Sequence, residues 1–252
     1  MKSKLLLSVL FIVVFLVSSV VHMPIAWLLQ HIPISSQVVI RGATGTLWHG
    51  KAEAINLQKI DLGQLQWQFE PTELLSGGFA FSTRFGRGGA LDWNGKGIFG
   101  YSTNGPYAKG VLVSVKTASL MKQIKMAIPV KIEGQLELTL NNYQFSAPWC
   151  EMAEGELVWS DAQLKTPLGA VNPVEAIATL ACQDSMITLK SVQDSAQLSS
   201  EFSVELHPDA TYKISGWVKP GDQLPQKVES QLKWLGSPNS KGQYKINHVG
   251  RL

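Results

Sequence analysis

Arg41-Gly42-Ala43-Thr44-Gly45-Thr46-Leu47-Trp48-His49-Gly50 is the stretch from which the chain is read. Leu47 and Trp48 sit between glycines, and alternation follows: Ala52, Ala54 and Leu57 fall among Lys51, Glu53 and Asn56. Glycine accepts backbone angles that other residues avoid, so it marks places where a chain turns. Period-two alternation after a turn is the pattern of a strand with one buried face. Weaker echoes recur at Gly89-Ala90-Leu91-Asp92-Trp93, Gly134-Gln135-Leu136 and Gly155-Glu156-Leu157-Val158-Trp159. Their spacing is irregular, which excludes a strict solenoid repeat. One habit is used repeatedly: turn, short strand, large side chain. On that habit Trp48, Trp67, Trp93 and Trp159 are expected to point into a shared layer.

Upstream, Met1-Lys2-Ser3-Lys4 precedes an apolar run from Leu5 to Val21 that is interrupted only by serines. About 17 residues is the lower limit for a helix spanning a bilayer. Lys2 and Lys4 lie before the run and no charged residue follows until Arg41, so the amino terminus is expected to stay cytoplasmic and the rest to be exported. Two readings compete, a retained anchor and a signal peptide cleaved near Val17-Ser18-Ser19. Apolar character continues past that point, with Ile25, Leu28, Leu29 and Ile32 at helical spacing beside Trp27. That pattern suits a helix in the membrane interface, so the anchor is adopted. The competing reading of residues 25–32 is a core helix of the exported domain. The organisation expected is a tail at 1–4, an anchor at 5–21 and a domain at 22–252.

Downstream, Val38-Val39-Ile40 begins the first strand, and Leu57 to Leu62 continues the alternation. Leu65, Trp67 and Phe69 share one face, as do Phe79, Phe81 and Phe85. Between these runs Pro71-Thr72-Glu73-Leu74-Leu75 fits one turn plugging an end of the sheet, with Pro near its start. The glycines between Gly86 and Gly100 are read as turns, since neither Gly-Lys-Ser/Thr nor a helix follows them. Thr117 to Met126 is expected to be helical with Thr117 as N-cap, ending before Pro129. Val130 to Leu140 alternates, and Asn141-Asn142 reads as a turn. Strand patterns recur at Leu157 and Trp159, Ile177 to Leu180, Ile187 and Leu189, Phe202 to Leu206 and Tyr212 to Val218. His207-Pro208-Asp209-Ala210 joins the last two as a hairpin turn. No long amphipathic helix alternates with these strands, which disfavours a doubly wound sheet. The fold class expected is mainly β, a curved, meandering and largely antiparallel sheet with a few short helices after a single transmembrane helix.

Composition narrows the function classes. The chain of 252 residues is 45% hydrophobic and only 16% charged, against about 25% in ordinary soluble domains. A net charge of +3 from 22 basic and 19 acidic residues, with no basic run, excludes a nucleic-acid reader. Catalytic signatures are missing: there is no nucleophile elbow, no His-Glu-x-x-His and no nucleotide fingerprint. Glu151, Glu154 and Glu156 read as a solvated edge, and His49 as an outward polar position. The five histidines show no ligand spacing, so neither a metal nor a cofactor is expected. Cys150 and Cys182 are the only cysteines, and an exported pair in an oxidising compartment forms a disulfide by default.

Gly45-Thr46-Leu47-Trp48-His49-Gly50 after a membrane-proximal segment resembles the opening of the type II secretion system protein N family. Leu232-Lys233-Trp234-Leu235-Gly236-Ser237-Pro238, Gly242-Gln243-Tyr244-Lys245-Ile246 and Gly250-Arg251-Leu252 resemble its carboxyl end, a short helix stopping at Gly236 and a closing strand from Gln243 to Val249. Residues 65–75, Leu-x-Trp-x-Phe-x-Pro-x-x-Leu-Leu, also resemble a wider group of membrane-tethered, strand-rich proteins, the AsmA-like group. The first resemblance implies a single-pass inner-membrane component whose periplasmic β-domain helps folded proteins cross the outer membrane. Its partners would be other secretion-system subunits, met at open strand edges and an apolar sheet face. The second implies an alternative, a lipid carried on that face.

Overall fold

The computed structural model describes residues 2–31, 37–58, 60–122, 131–166 and 169–252. Helices α1 (Lys2–Val21) and α2 (Ile25–His31) come first. Six short strands follow: β1 (Val38–Arg41), β2 (Thr44–Gly45), β3 (His49–Ala52), β4 (Ala54–Leu57), β5 (Ile60–Asp61) and β6 (Leu65–Phe69). Next come β7 (Phe79–Phe85), β8 (Trp93–Ser102), β9 (Gly105–Lys116), helix α3 (Thr117–Met121) and β10 (Lys131–Gln144). The remaining elements are β11 (Met152–Thr166), β12 (Gly169–Gln183), β13 (Met186–Asp194), β14 (Leu198–Leu206), β15 (Thr211–Pro220), helix α4 (Gln226–Leu232) and β16 (Tyr244–Arg251).

One 13-stranded antiparallel sheet dominates, in the order β16-β15-β14-β13-β12-β11-β10-β9-β8-β7-β6-β3-β2. From β6 onward each strand pairs with the next in sequence, as a meander requires. A small sheet, β1-β4-β5, lies apart from it. The alternation through Ala52 and Leu57 therefore divides between two sheets, β3 in the large one and β4 in the small. Mainly β architecture with short helices agrees with the reading of the sequence.

Among the described residues, no helix is long and apolar enough to cross a membrane. From Leu6 to Val21 the apolar side chains of α1 are nonetheless exposed. Ile25 of α2 is buried while Trp27 is half exposed, so the short helix presents one side to the sheet and one outward. Ile32 lies outside the described residues.

Several local expectations change. The helix begun at Thr117 runs only to Met121, and residues 123–130 lie outside the described residues. Lys116, not Thr117, holds the cap position, and no side chain caps the helix. The Thr117 hydroxyl is instead within hydrogen-bond reach of the Ile132 and Gly134 carbonyls, at 3.2 and 2.9 Å. A neighbouring strand thus captured the group that sequence assigned to capping. Asn141-Asn142 is not a turn. Both residues continue β10, and the register shifts between Leu140 and Asn142 on pairing with β11, so a bulge absorbs the polar pair without ending the strand. The turn at Pro71–Ser76 forms as a 3-10 helix, but Leu75 is 92% exposed and plugs nothing. The hairpin at residues 207–210 forms as expected, closed by His207 N–H to Thr211 O at 2.8 Å. So does the closing strand, two residues longer at its end than read.

Candidate interaction surface

Alternation along each strand and register between strands sort the side chains of the large sheet into two faces. Trp67 lies opposite Thr83, Phe69 opposite Phe81, and Phe81 opposite Phe99. Val113 continues the same face to Leu138, Leu138 to Leu157 and Leu157 to Ala178. Leu180 leads on to Leu189, Val204 and Ile214. One face is therefore apolar from β6 to β15.

That face is not closed into a core. Among the described residues the buried apolar side chains are mostly alanines and valines, and Cys150 is the largest that is fully buried. The chain exposes 16600 Å², whereas a compact 27.6 kDa globule exposes about 11,000 Å². Phe79 and Tyr101 are half exposed on the apolar face. A sheet left open on this face, together with the exposed helix α1, contributes to that excess of surface.

Near the amino-terminal end of the sheet the apolar face forms an open recess. Leu47, Leu65, Trp67, Phe81, Phe85 and Phe99, with Thr83, line a recess of about 370 Å³. Aromatic rings frame it edge to face: Trp48 against Phe69 at 4.9 Å, Phe69 against Phe81 at 5.7 Å and Phe85 against Phe99 at 6.2 Å. The Gly-Thr-Leu-Trp stretch builds its floor. Gly50 carries no side chain because the Trp67 ring lies over it; a Cβ there would meet Trp67 Cζ2. Trp67 Nε1 then donates to the Thr46 and Leu47 carbonyls at 3.2 and 3.1 Å. Trp93 and Trp159 likewise donate to the Leu62 and Glu133 carbonyls, at 2.9 and 3.2 Å. Trp48, Trp67, Trp93 and Trp159 are only partly buried. Trp67, Trp93 and Trp159 share the apolar face, but as rungs along an open surface rather than one enclosed layer.

At the other end of this region a polar clasp joins the 3-10 turn to the sheet. Tyr107 Oη donates to Glu73 Oε2 at 2.7 Å, and Lys109 Nζ lies 3.3 Å from the same oxygen. The Tyr107 hydroxyl, more than the nearby ammonium, holds the Glu73 carboxyl below its ordinary range. Burial, aided by Glu73, pushes Tyr107 up to about 12. Nothing local in sequence announces a contact between residues 34 positions apart.

Cys150 and Cys182 are disulfide-bonded, with Cα atoms 6.3 Å apart. Ala153 is buried with them, and Leu140, Tyr143, Trp149, Leu180 and Ile187 pack around the group. The bond ties the loop before β11 to the end of β12. His49 is exposed and lies 3.3 Å from the Thr46 hydroxyl, a turn contact. Among the described residues, no group of three or more His, Cys, Asp or Glu is arranged to hold a metal ion.

Comparison with known proteins bears on what this surface serves. The family described as Type II secretion system (T2SS), protein N matches residues 36–247. The Type II secretion system protein N of Vibrio cholerae serotype O1 is 38% identical over 252 residues, covering all of both chains. Its counterpart in Aeromonas hydrophila is 29% identical over 255 residues, again covering both in full. That of Pectobacterium carotovorum subsp. carotovorum is 25% identical over 231 residues, 90% of this chain and 89% of its own. No solved structure matches.

Proposed function

The chain belongs to the type II secretion system protein N family, and from that premise we propose that it works by contact, presenting an inner-membrane-tethered periplasmic β-sheet to other secretion-system subunits. Membership makes it a component of type II secretion, a structural part and not an enzyme, with an inner-membrane or periplasmic location and association with other subunits.

The finer reading has residues 1–4 in the cytoplasm, 5–21 as a single-pass anchor and 22–252 in the periplasm. The exposed apolar side chains of α1 from Leu6 to Val21 support it, because a helix apolar on all sides needs an apolar surrounding. Trp27, half exposed just beyond, suits the headgroup zone. The oxidising periplasm also suits a bonded Cys150 and Cys182.

The observation that carries the contact reading is the open apolar face, incompletely covered by the chain's own side chains. Deleting residues 22–252 in a secreting strain tests it. Folded cargo should accumulate in the periplasm, and wild-type secretion levels would overturn the reading.

The recess lined by Leu47, Trp67, Phe81, Phe85 and Phe99 favours a second reading, in which the face holds a lipid acyl chain. Normal secretion with an altered outer-membrane lipid composition would select it.

A further inference from the structure

On the face opposite the recess, a row of side chains crosses four neighbouring strands in register. Lys51 of β3 lies opposite Gln66 of β6, Gln66 opposite Arg84 of β7, and Arg84 opposite Lys96 of β8. Strands stand about 4.8 Å apart, so the three cations fall within roughly 14 Å. All three are exposed. Like charges directly opposite one another on a sheet destabilise it, and Arg84 and Lys96 are such a pair.

Glu53 borders a recess with Lys51, Gln64 and Gln66, but among the described residues no ion pair joins it to any of the three cations. The ion pairs of the described residues fall elsewhere, at Lys109–Glu73, Lys116–Asp92, Lys165–Glu133 and His207–Glu205. The next row on the same face, Gln68, Ser82 and Ile98, is uncharged. Two shallow recesses adjoin the row and share Gln66 and Arg84. Arg87, Asn94 and Lys96 border one of them, and Lys51 and Ser82 the other.

The apolar helix meets the chain in the connection between β2 and β3, just before Lys51. Trp48 Nε1 bonds the Val20 carbonyl at 2.9 Å, Leu47 N–H bonds the Met23 carbonyl at 3.2 Å, and Pro24 bridges to Thr46. Lys51 follows Trp48 by three positions, about 10 Å of extended strand. That is about one Debye length at physiological salt.

We propose that Lys51, Arg84 and Lys96 form a membrane-contact site for the phosphates of anionic phospholipid headgroups. The proposal rests on the anchor reading of α1. Anionic headgroups would supply the counter-charge the row lacks, and would lay the β3–β8 end of the sheet against the bilayer beside the anchor.

The test uses the full chain, reconstituted in vesicles of phosphatidylcholine alone or with about one-third phosphatidylglycerol, a composition that gives the surface a negative potential. A fluorophore on Ser82→Cys reports collisional quenching by headgroup-labelled lipid. Quenching should be several-fold stronger in the anionic vesicles and fall to the neutral level at about 0.5 M salt. The triple change Lys51→Gln, Arg84→Gln, Lys96→Gln should abolish the difference without lowering the melting temperature. The charge-preserving set Lys51→Arg, Arg84→Lys, Lys96→Arg should retain it. Equal quenching in both vesicles, or an unaffected glutamine variant, overturns the site while leaving the anchor intact. Protein that fails to float with either vesicle overturns the anchor reading, and with it the proposal. A melting temperature raised by inorganic pyrophosphate, with no effect of vesicle charge, assigns the row to a soluble anion and overturns the membrane source.

Discussion

Trp48 donates its indole N–H to the backbone carbonyl of Val20 at 2.9 Å, across 28 positions of sequence. The last carbonyls of a helix lack partners within it, so this contact both satisfies the end of α1 and sets the sheet against it. Trp48→Phe keeps an aromatic ring beside Phe69 and removes the indole donor together with part of the ring. It should cost about 1 kcal/mol and make the segment between Val21 and His31 more sensitive to protease. A urea melt and limited proteolysis of the full chain in detergent check this, and unchanged cleavage would show that the contact does not hold the segment.

Trp67 is half-buried on the recess floor and bonded through Nε1 to two carbonyls. A fully enclosed tryptophan replaced by Ala costs ~3–5 kcal/mol; an open position has less to lose. Trp67→Ala should therefore cost about 1–3 kcal/mol and reduce secretion by more than that loss of stability explains. A urea melt beside a cargo-secretion assay separates the two effects. Complete unfolding would show that the ring belongs to a core.

Gly50→Ala places a methyl group under the Trp67 ring and near the Thr44 carbonyl. Backbone cannot yield as a flexible side chain can, so a loss of about 1–3 kcal/mol is expected. The double change Gly50→Ala, Trp67→Ala should recover part of it, because the ring is one of the two obstacles. Additive losses in the cycle would place the clash at Thr44 alone.

Removing the disulfide by Cys150→Ser with Cys182→Ser should lower stability by about 2–4 kcal/mol, as closing a loop of 32 residues in the unfolded chain implies. Thiol labelling of freshly isolated protein under denaturing, non-reducing conditions should find no free cysteine. Two reactive thiols would contradict the bonded state.

The Glu73–Tyr107 clasp makes stability depend on pH from both partners. The Glu73 carboxyl titrates lower folded than unfolded, so its contribution is present above the unfolded value and is lost as pH falls through the folded one. Tyr107 is raised to about 12, so its contribution is complete below about 10 and is lost as pH rises toward 12. Tyr107→Phe should flatten both limbs of a plot of urea midpoint against pH. An unchanged acid limb would show that the hydroxyl is not what holds Glu73 low.

Much of the architecture was legible locally. Alternation at Leu65, Trp67 and Phe69 identified a strand and its apolar side, because the side-chain period of a strand is two and needs no partner to be read. The closing strand and the hairpin turn at residues 207–210 were legible from equally local signals. Where a local signal met a competing neighbour, it failed. Thr117 had the chemistry of a cap, but carbonyls of Ile132 and Gly134 took its hydroxyl. Asn141 and Asn142 had the composition of a turn, yet both lie within β10, where the β11 ladder carries the strand past them.

Sequence by itself determined which residues share a face along each strand, that an apolar segment precedes the sheet, and that two cysteines are available to pair. Only the tertiary structure decided which strands are neighbours and in what register, and so whether an apolar face closes or stays open. Arg84 and Lys96 are unremarkable 12 positions apart in sequence and become opposed charges only when β7 and β8 align. Likewise Trp48 meets Val20, and Tyr107 meets Glu73, only after the meander folds back. The physical reason is range: periodicity and turn chemistry act between residues a few positions apart, whereas register, uncompensated charge and an uncovered face arise from pairing between distant segments.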